Sequence, residues 1–273
     1  MLPPQSDPTG ACMLPAVPFL ILLAGGRPAS APQLPGEAVV RSAYRMYAGK
    51  WFKTALLVQR RTAEGRTETW YEALKPPGLD RIDVAPAVTG RALLYRNDSL
   101  YEFGKRQLRA AGPGVQPLFA LLHDLHSDPP EKTIAMLKRF GFDLHKTHER
   151  MWDGERVIVV GAVAGDTVSN QFWLEKKRML LVRLLERNGA DPRRPLDARI
   201  TGYQPAGGGW LERSVRIFVG GQLAAVSDYT NVRIDVTLEP GLFQPTPYHL
   251  PQWVGPGEDL FGGLPNAPVL GGH

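Results

Sequence analysis

Two pairs of histidines have the spacing in this sequence that comes nearest to a metal-binding pattern. His123 and His126 stand three positions apart, and His145 and His148 repeat that spacing. Residues at i and i+3 share one face of a helix, so the first pair could hold an ion if its stretch is helical. On a strand, the second pair would point to opposite faces. Because solvated or hydrogen-bonded histidines are far more common than ligands, we predict no metal site.

The sequence contains none of the common catalytic motifs that we sought. No Gly-x-Ser-x-Gly turn is present to expose a nucleophilic serine. The Gly207-Gly208-Gly209 run does not lead from a strand into a helix, as a phosphate-binding loop requires. Four carboxylates on predicted strands are expected to be exposed: Glu68, Glu72, Asp80 and Asp83. We therefore predict no catalytic residue, no cofactor and no enzymatic activity.

The composition is that of a globular protein with a modest positive charge. Of the 273 residues, 43% are hydrophobic and 22% are charged, and the net charge is +5. The basic residues occur singly or in pairs rather than in runs, so we predict no nucleic-acid partner. Cys12 is the single cysteine, which excludes an internal disulfide and a thiol-ligated zinc site. We expect a monomer.

The N-terminal sequence favours export. Residues 13–24 form an apolar run of signal-peptide length, and Ala29-Ser30-Ala31 follows it as a small-residue cleavage site. The run is too short to anchor the chain across a bilayer. We assign residues 1–31 to a signal peptide, with Met1 or Met13 as the start, and expect a periplasmic protein.

Periodicity predicts one helix, a series of strands and a helical insertion. Apolar residues at helical spacing indicate a helix over residues 37–50. From Trp51 the period changes to two, which indicates strands on both sides of a second helical stretch over residues 113–142. We assign residues 32–247 to one domain and the Pro/Gly-rich residues 248–273 to a disordered tail.

The hairpin predicted over residues 170–187 is central to the expected sheet. Phe172 and Leu174 alternate with Gln171 and Trp173, and the second strand is apolar on both faces. Such a strand is covered on both sides or keeps one face for an apolar ligand. The sequence thus predicts a mainly β, α+β protein. It would be a single, highly curved antiparallel sheet forming a half-open barrel, with an N-terminal helix and a mid-sequence helical lid.

Several short motifs, taken in order, resemble those of a known family. A helix is followed by a strand that ends in Gln59 and then by Trp70. Further motifs are Leu74-Lys75-Pro76-Pro77-Gly78-Leu79, Gln171-Phe172-Trp173-Leu174 and Leu242-Phe243-Gln244-Pro245. Over roughly residues 37–247, the chain is similar to the LolA-like periplasmic family of outer-membrane lipoprotein carriers, whose relatives include LolB and the lipid-sensing domain of RseB-type regulators.

The resemblance implies a function in lipid binding. Carriers of this family hold lipoprotein acyl chains, which implies an inner-membrane transporter and an outer-membrane acceptor as partners. Alternatively, the fold would serve as a lipid-sensing or interaction module that contacts an envelope partner. The family's carriers have an arginine before the turn proline, which helps to hold the lid closed. Here Pro76 occupies that place, so the implied lid and turn residues are Lys75, Pro76 and Arg81.

The candidate ligand-binding residues are large apolar side chains of the strands and of the insertion. An acyl chain gains about 0.8 kcal/mol per buried methylene, so a cavity with few polar groups is expected to hold it. The candidates are Leu57, Trp70, Ile82, Val84, Leu94, Tyr101, Phe119, Leu122, Phe172 and Leu181. Each could instead belong to an ordinary core, and strand parity does not say which face of the sheet is concave.

Overall fold

A computed structural model describes residues 34–187, 191 and 193–254. The predicted signal peptide and residues 255–273 of the predicted tail lie outside the described residues. Within the described ranges, no helix has the length and apolar character needed to cross a membrane.

Three helices belong to the described part of the chain. Helix α1 runs over Gly36–Tyr47, and α3 runs over Pro130–Arg139. Between them, α2 begins as an α-helical turn at Pro117–Phe119 and continues as a π-helical turn at Ala120–Asp124. We refer to α2 and α3 together as the lid. A short 3-10 helix also lies at Ala87–Thr89.

Fifteen strands make up the rest of the regular structure in the described ranges. They are β1 Ala55–Ala63, β2 Arg66–Lys75, β3 Leu79–Val84, β4 Arg91–Arg96, β5 Ser99–Gly104, β6 Gln107–Pro113, β7 Thr147–Trp152, β8 Glu155–Val160, β9 Gln171–Glu175, β10 Leu180–Glu186, β11 Leu196–Thr201, β12 Gln204–Ala206, β13 Gly209–Leu211, β14 Ser214–Val219 and β15 Gln222–Ile234.

Thirteen of these strands form one antiparallel sheet in the order β6-β5-β4-β3-β2-β1-β15-β14-β11-β10-β9-β8-β7. The long strand β15 returns to pair with β1, so that Leu57 lies opposite Val232. Strands β6 and β7 are the two edges and do not pair with each other, so the sheet is open. The predicted fold class, a mainly β protein with a single open antiparallel sheet and a few helices, is confirmed.

Local differences from the sequence prediction have simple causes. Strand β6 was not predicted, because all of its residues are exposed and they show no apolar alternation. In the Gly207-Gly208-Gly209 run, the first two glycines form the turn of a separate β12–β13 hairpin and Gly209 begins β13. A side chain on Gly208 would meet the Lys50 carbonyl at 2.1 Å, so glycine is required there. Asp128, just before α3, does not cap the helix but forms an ion pair with Lys132 at 3.1 Å.

The two faces of the sheet are covered by different parts of the chain. On one, the helix face, α1 and the lid bury a large apolar core that includes Val40, Leu57 and Phe172. On the other, the tail face, residues 236–254 pack on β1 and β2 and bury a smaller apolar cluster. Trp253 lies in that cluster and contacts Tyr71 edge-on, with ring centroids 6.1 Å apart.

The central hairpin of β9 and β10 is covered on both sides. Phe172 on β9 belongs to the core under the helices. On the opposite side, Trp173 contacts Trp152 with ring centroids 5.0 Å apart, and the Arg183 guanidinium lies 4.5 Å from the Trp173 ring. In the closed structure, both faces of this hairpin are therefore packed against the protein itself.

Candidate functional site

A pocket of about 290 Å³ opens between the sheet and the lid. The β2–β3 turn and the β4–β5 turn form one wall, and α2 and α3 form the other. Its apolar lining includes Pro76, Tyr95, Phe119 and Met136. Its charged lining includes Asp80, Arg96, Asp124, Lys132 and Arg139. The pocket thus has an apolar part and a strongly polar part.

One hydrogen bond joins the β2–β3 turn to the lid across the side of this pocket. The backbone N–H of Gly78 donates to the Asp124 carboxylate at 3.0 Å. Burial raises the pKa of Asp124 to about 6, although the bond from Gly78 acts in the opposite direction. Asp124 lies at the end of the π-helical turn, and such turns are often found at functional sites.

A buried group of polar side chains, which we call the acid–histidine cluster, lies next to the pocket. Its members are Glu72, Asp80, His123 and Glu212, each at most 5% exposed. Glu72 is on β2 and Asp80 is on β3, where both point to the helix face. His123 reaches them from the π-helical turn, and Glu212 follows β13. The cluster therefore joins the sheet, the lid and the small hairpin.

Hydrogen bonds satisfy part of this cluster. Gln59 donates from Nε2 to Glu72 Oε2 at 2.6 Å, and His123 Nε2 lies 3.2 Å from Glu212 Oε1. Asp80 is close enough to Glu72 to affect its protonation. Even so, neither Asp80 oxygen has a partner at hydrogen-bond geometry among the described residues, and the same holds for His123 Nδ1.

Burial and mutual repulsion control the protonation of the cluster. Burial raises the pKa of Glu72 well above its ordinary value, and the Asp80 charge raises it further. Burial and the charge of Asp124 raise the pKa of Asp80 in the same way. Burial alone would lower the pKa of His123, but the Glu212, Glu72 and Asp124 carboxylates together outweigh it and the net shift is upward. These shifts favour the protonated forms of Glu72, Asp80 and His123.

The prediction that the strand carboxylates are exposed was wrong for Glu72, Asp80 and Asp83, which are buried. The sequence did contain a signal. Glu72 shares its strand parity with Leu74, and Asp80 shares its parity with Ile82, so both carboxylates occupy positions that face the core. Glu68 is half-buried and pairs with Arg91 at 3.0 Å. Nothing in the sequence indicated that Glu212 would join this group, because the β12–β13 hairpin brings it there.

His123 and His126 do not act as a pair. His123 faces the cluster, whereas His126 lies 2.9 Å from the Met179 carbonyl through Nε2. His126 also stacks on Trp51, with ring centroids 4.2 Å apart. Burial lowers the pKa of His126 to about 4. The shared face expected from the i, i+3 spacing is lost, because the helical stretch ends at Asp124 and His126 lies in the turn that follows.

The predicted ligand-binding residues fall into two groups. Strand register and packing place eight of them on the helix face or on α2: Leu57, Trp70, Ile82, Val84, Phe119, Leu122, Phe172 and Leu181. Of these, Phe119 lines the pocket. Leu94 and Tyr101 lie opposite each other on the tail face, near Phe243 and Tyr248. Contact of any of the ten with a lipid stays a prediction.

The three predicted lid and turn residues lie in different parts of the structure. Lys75 is exposed, and Pro76 lines the pocket beside the lid. Arg81, however, is buried on the tail face, where it pairs with Asp83 at 2.8 Å and donates to the Leu242 carbonyl at 2.9 Å. It therefore binds the C-terminal segment rather than the lid. Because Arg81 alternates with Asp80 and Ile82 along β3, it must point away from the helices.

The open antiparallel sheet with a helical cover over one face defines a half-barrel fold, and solved structures share it. A DUF1329 family protein from Desulfovibrio piger matches with a TM-score of 0.51 and 17% identity, over 79% of this chain and 99% of that chain. A domain from Vibrio parahaemolyticus assigned to outer membrane lipoprotein sorting matches with a TM-score of 0.53 and 10% identity, over 77% and 96%. A LolA superfamily protein from Nitrosomonas europaea has a TM-score of 0.46 at 12% identity, over 78% and 98%.

The first two likenesses show the fold: the chain has a LolA-like half-barrel, as its motifs indicated. No protein-family model and no curated protein sequence matches the chain.

Proposed function

We propose that the protein is a non-catalytic, periplasmic binding protein that holds an acyl chain of a lipid or lipoprotein between the helix face and the lid. In this role it would receive the chain from an inner-membrane transporter and deliver it toward an outer-membrane acceptor. The observation that carries the proposal is the lid-covered pocket on a LolA-like half-barrel. Pockets that bind small ligands combine apolar walls with a few polar groups in this way.

The volume of the pocket requires the lid to move. At about 290 Å³, the closed pocket is at the lower limit for binding sites and has room for only part of a long acyl chain. The apolar side chains of α2, among them Leu121 and Leu122, are buried against the core in the closed form. When the lid lifts, an acyl chain can replace these side chains and regain about 0.8 kcal/mol per methylene.

One hydrogen bond between the lid and the sheet could break to let the lid open. The Gly78–Asp124 hydrogen bond links the turn that carries Pro76 to the end of α2. A single such bond contributes about 1.5–3 kcal/mol when one partner is charged, so its loss shifts lid opening without unfolding the sheet. Loading and release would then take place at this end of the half-barrel.

The test measures binding of a fluorescent fatty acid to the purified wild-type protein and to a variant in which a larger side chain fills the pocket. Ala120 lines the pocket from α2, and Ala120→Trp would occupy it. We expect saturable binding to the wild type and at least tenfold weaker binding to the variant. Ala224→Trp, at an exposed position of β15, is the matched control and should bind normally. Absence of saturable binding, or equal affinity in Ala120→Trp, would rule out the proposed site.

A second candidate is an interaction module that contacts an envelope partner through the edge of the sheet. Every residue of β6 is exposed, and exposed edge strands accept a further strand from a partner. Residues 236–254 already cover part of the tail face, so the edge is the better surface for this role. Ala110→Pro would block strand addition at β6. This candidate predicts that the substitution abolishes partner cross-linking and leaves fatty-acid binding unchanged.

A further inference from the structure

We propose that Glu72, Asp80 and His123 form a binding site for one divalent transition-metal ion, with Zn²⁺ as the preferred species. One ligand atom from each of the three lies within 4.8 Å of the others, and all three residues are buried. Donors of a four-coordinate zinc ion lie about 3.4 Å apart, given metal–ligand bonds of about 2.1 Å. A small rotation of one side chain would bring the three into range.

Asp80 is the residue that points to a ligand. It is 5% exposed, and neither of its oxygens has a hydrogen-bond partner among the described residues. An unpaired buried polar group costs about 1–3 kcal/mol, and more when it is charged. The nearest polar group is the Glu72 carboxyl, which is close enough to share a proton with Asp80, and a metal ion would replace that proton between the two acids. The ion would supply the missing partner for both oxygens.

His123 has the arrangement that metal-ligating histidines usually adopt. Its Nε2 faces the Glu212 carboxylate at 3.2 Å, and its Nδ1 has no partner within the described part of the chain. A ligating histidine commonly donates its second ring N–H to a carboxylate, which fixes the tautomer and increases the basicity of the ligating nitrogen. Glu212 is therefore assigned as the positioning residue, with Nδ1 as the ligating atom.

The types of ligand and the access route indicate which ion would bind. One imidazole nitrogen with two carboxylate oxygens suits Zn²⁺, Co²⁺ or Mn²⁺ better than Ca²⁺ or Mg²⁺, which prefer oxygen alone. Among these ions, zinc has the highest affinity for such a site. Asp80 and His123 both line the pocket, so an ion can reach them without unfolding of the core.

The site would couple metal binding to the position of the lid. Its carboxylates lie on the sheet, whereas His123 lies on α2, so one ion would join the two. This consequence rests on the proposed acyl-binding function, in which the lid must lift. Zn²⁺ would then hold the closed form and oppose ligand entry.

The experiment uses the purified protein after treatment with a chelator. We expect Zn²⁺ to bind with 1:1 stoichiometry by calorimetry and to raise the melting temperature. Co²⁺ should give visible absorption bands typical of a nitrogen and oxygen site. Asp80→Asn and His123→Gln should each weaken Zn²⁺ binding at least a hundredfold, and Glu212→Gln should weaken it about 10–100-fold. His148→Gln, a part-buried histidine on β7, is the control and should bind like the wild type.

The proposal is overturned if the wild type shows no 1:1 binding, or if Asp80→Asn and His123→Gln bind Zn²⁺ like the control. Circular dichroism of each variant establishes that it is folded, and the Co²⁺ spectrum of His123→Gln provides the second measurement if Asp80→Asn does not fold. These readouts do not involve lipid. Failure of acyl binding with an intact Zn²⁺ response would therefore count against the proposed function and not against the metal site.

Discussion

Buried charged groups are fully paired on the tail face of the sheet and poorly paired on the helix face, although Arg81 and Asp80 are neighbours on the same strand. On the tail face, the Arg81 guanidinium forms two bonds to Asp83, at 2.8 and 3.0 Å, and also donates to the carbonyls of Leu242 and His249. On the helix face, Glu72 and Asp80 lie close together, and Asp80 has no hydrogen-bond partner among the described residues.

This difference indicates a structural role for the Arg81–Asp83 pair and a binding role for the acids of the helix face. A buried ion pair in which every guanidinium nitrogen has a partner fixes one arrangement, and here it holds the C-terminal segment on the sheet. A group of buried acids with incomplete bonding destabilises the folded state unless protons or a cation neutralise it. We therefore infer that the tail face serves stability and the helix face serves binding. The substitutions below test that distinction.

The largest effect is expected for Arg81→Met. The substitution leaves the Asp83 carboxylate buried without its partner and removes the donor to Leu242, so we expect a loss of about 3–5 kcal/mol in the free energy of unfolding. Urea denaturation measures this change. Arg91→Met, which breaks the largely exposed pair with Glu68, is the control and should cost less than about 1 kcal/mol. Equal effects of the two variants would contradict the structural role of Arg81.

The second prediction concerns His126 and acid stability. Its folded pKa of about 4 lies below the ordinary value of 6.5, so the unfolded chain binds more protons between these pH values. The free energy of unfolding therefore has its full value above pH 6.5. It falls by about 3 kcal/mol as the pH drops from 6.5 to 4, because the unfolded chain takes up the proton first. Between pH 6.5 and pH 4, the free energy of unfolding of the wild type should fall by about 3 kcal/mol more than that of His126→Phe.

The comparison with His126→Phe is necessary because Asp124, with a pKa of about 6, acts in the opposite direction over part of the same range. Urea unfolding at several pH values gives the difference between the two proteins. A difference that does not change between pH 4 and pH 6.5 would show that His126 titrates normally in the folded state.

The third prediction contrasts two equivalent substitutions on β3. After chelation at pH 7, Asp80→Asn should raise the free energy of unfolding by about 1–3 kcal/mol, because it removes a poorly bonded buried acid. Asp83→Asn should lower it, because Arg81 loses its charged partner. Chemical denaturation of both variants checks the sign. Destabilisation of the same size by both would mean that the two faces do not differ.

The smallest effect is expected for Tyr248→Phe on the tail face. The hydroxyl donates to Asp83 at 3.3 Å, and Arg81 provides the main bonds to that carboxylate. The loss should be about 0.5–1.5 kcal/mol, measured by thermal or urea unfolding. A loss above about 3 kcal/mol would show that Asp83 depends on Tyr248 as much as on Arg81.

Much of the architecture could be predicted from the sequence, because strand alternation is a local pattern. Strands on both sides of the helical insertion, the insertion itself and the β9–β10 hairpin were all expected. The candidate site was harder to predict. Asp80 and Glu72 were interpreted as exposed because carboxylates usually are, although their parity with Ile82 and Leu74 indicated the core face.

The sequence by itself indicated a curved, half-open antiparallel sheet, an N-terminal helix and a mid-sequence helical insertion, since each follows from the spacing of apolar residues and turns. Only the tertiary structure decided where the charges lie. It brought His123 and Glu212 to within 3.2 Å across 89 positions of the chain, and it covered Arg81 with the C-terminal segment. Contacts between distant residues depend on how the sheet curves and on what packs over it, and no local pattern contains that information.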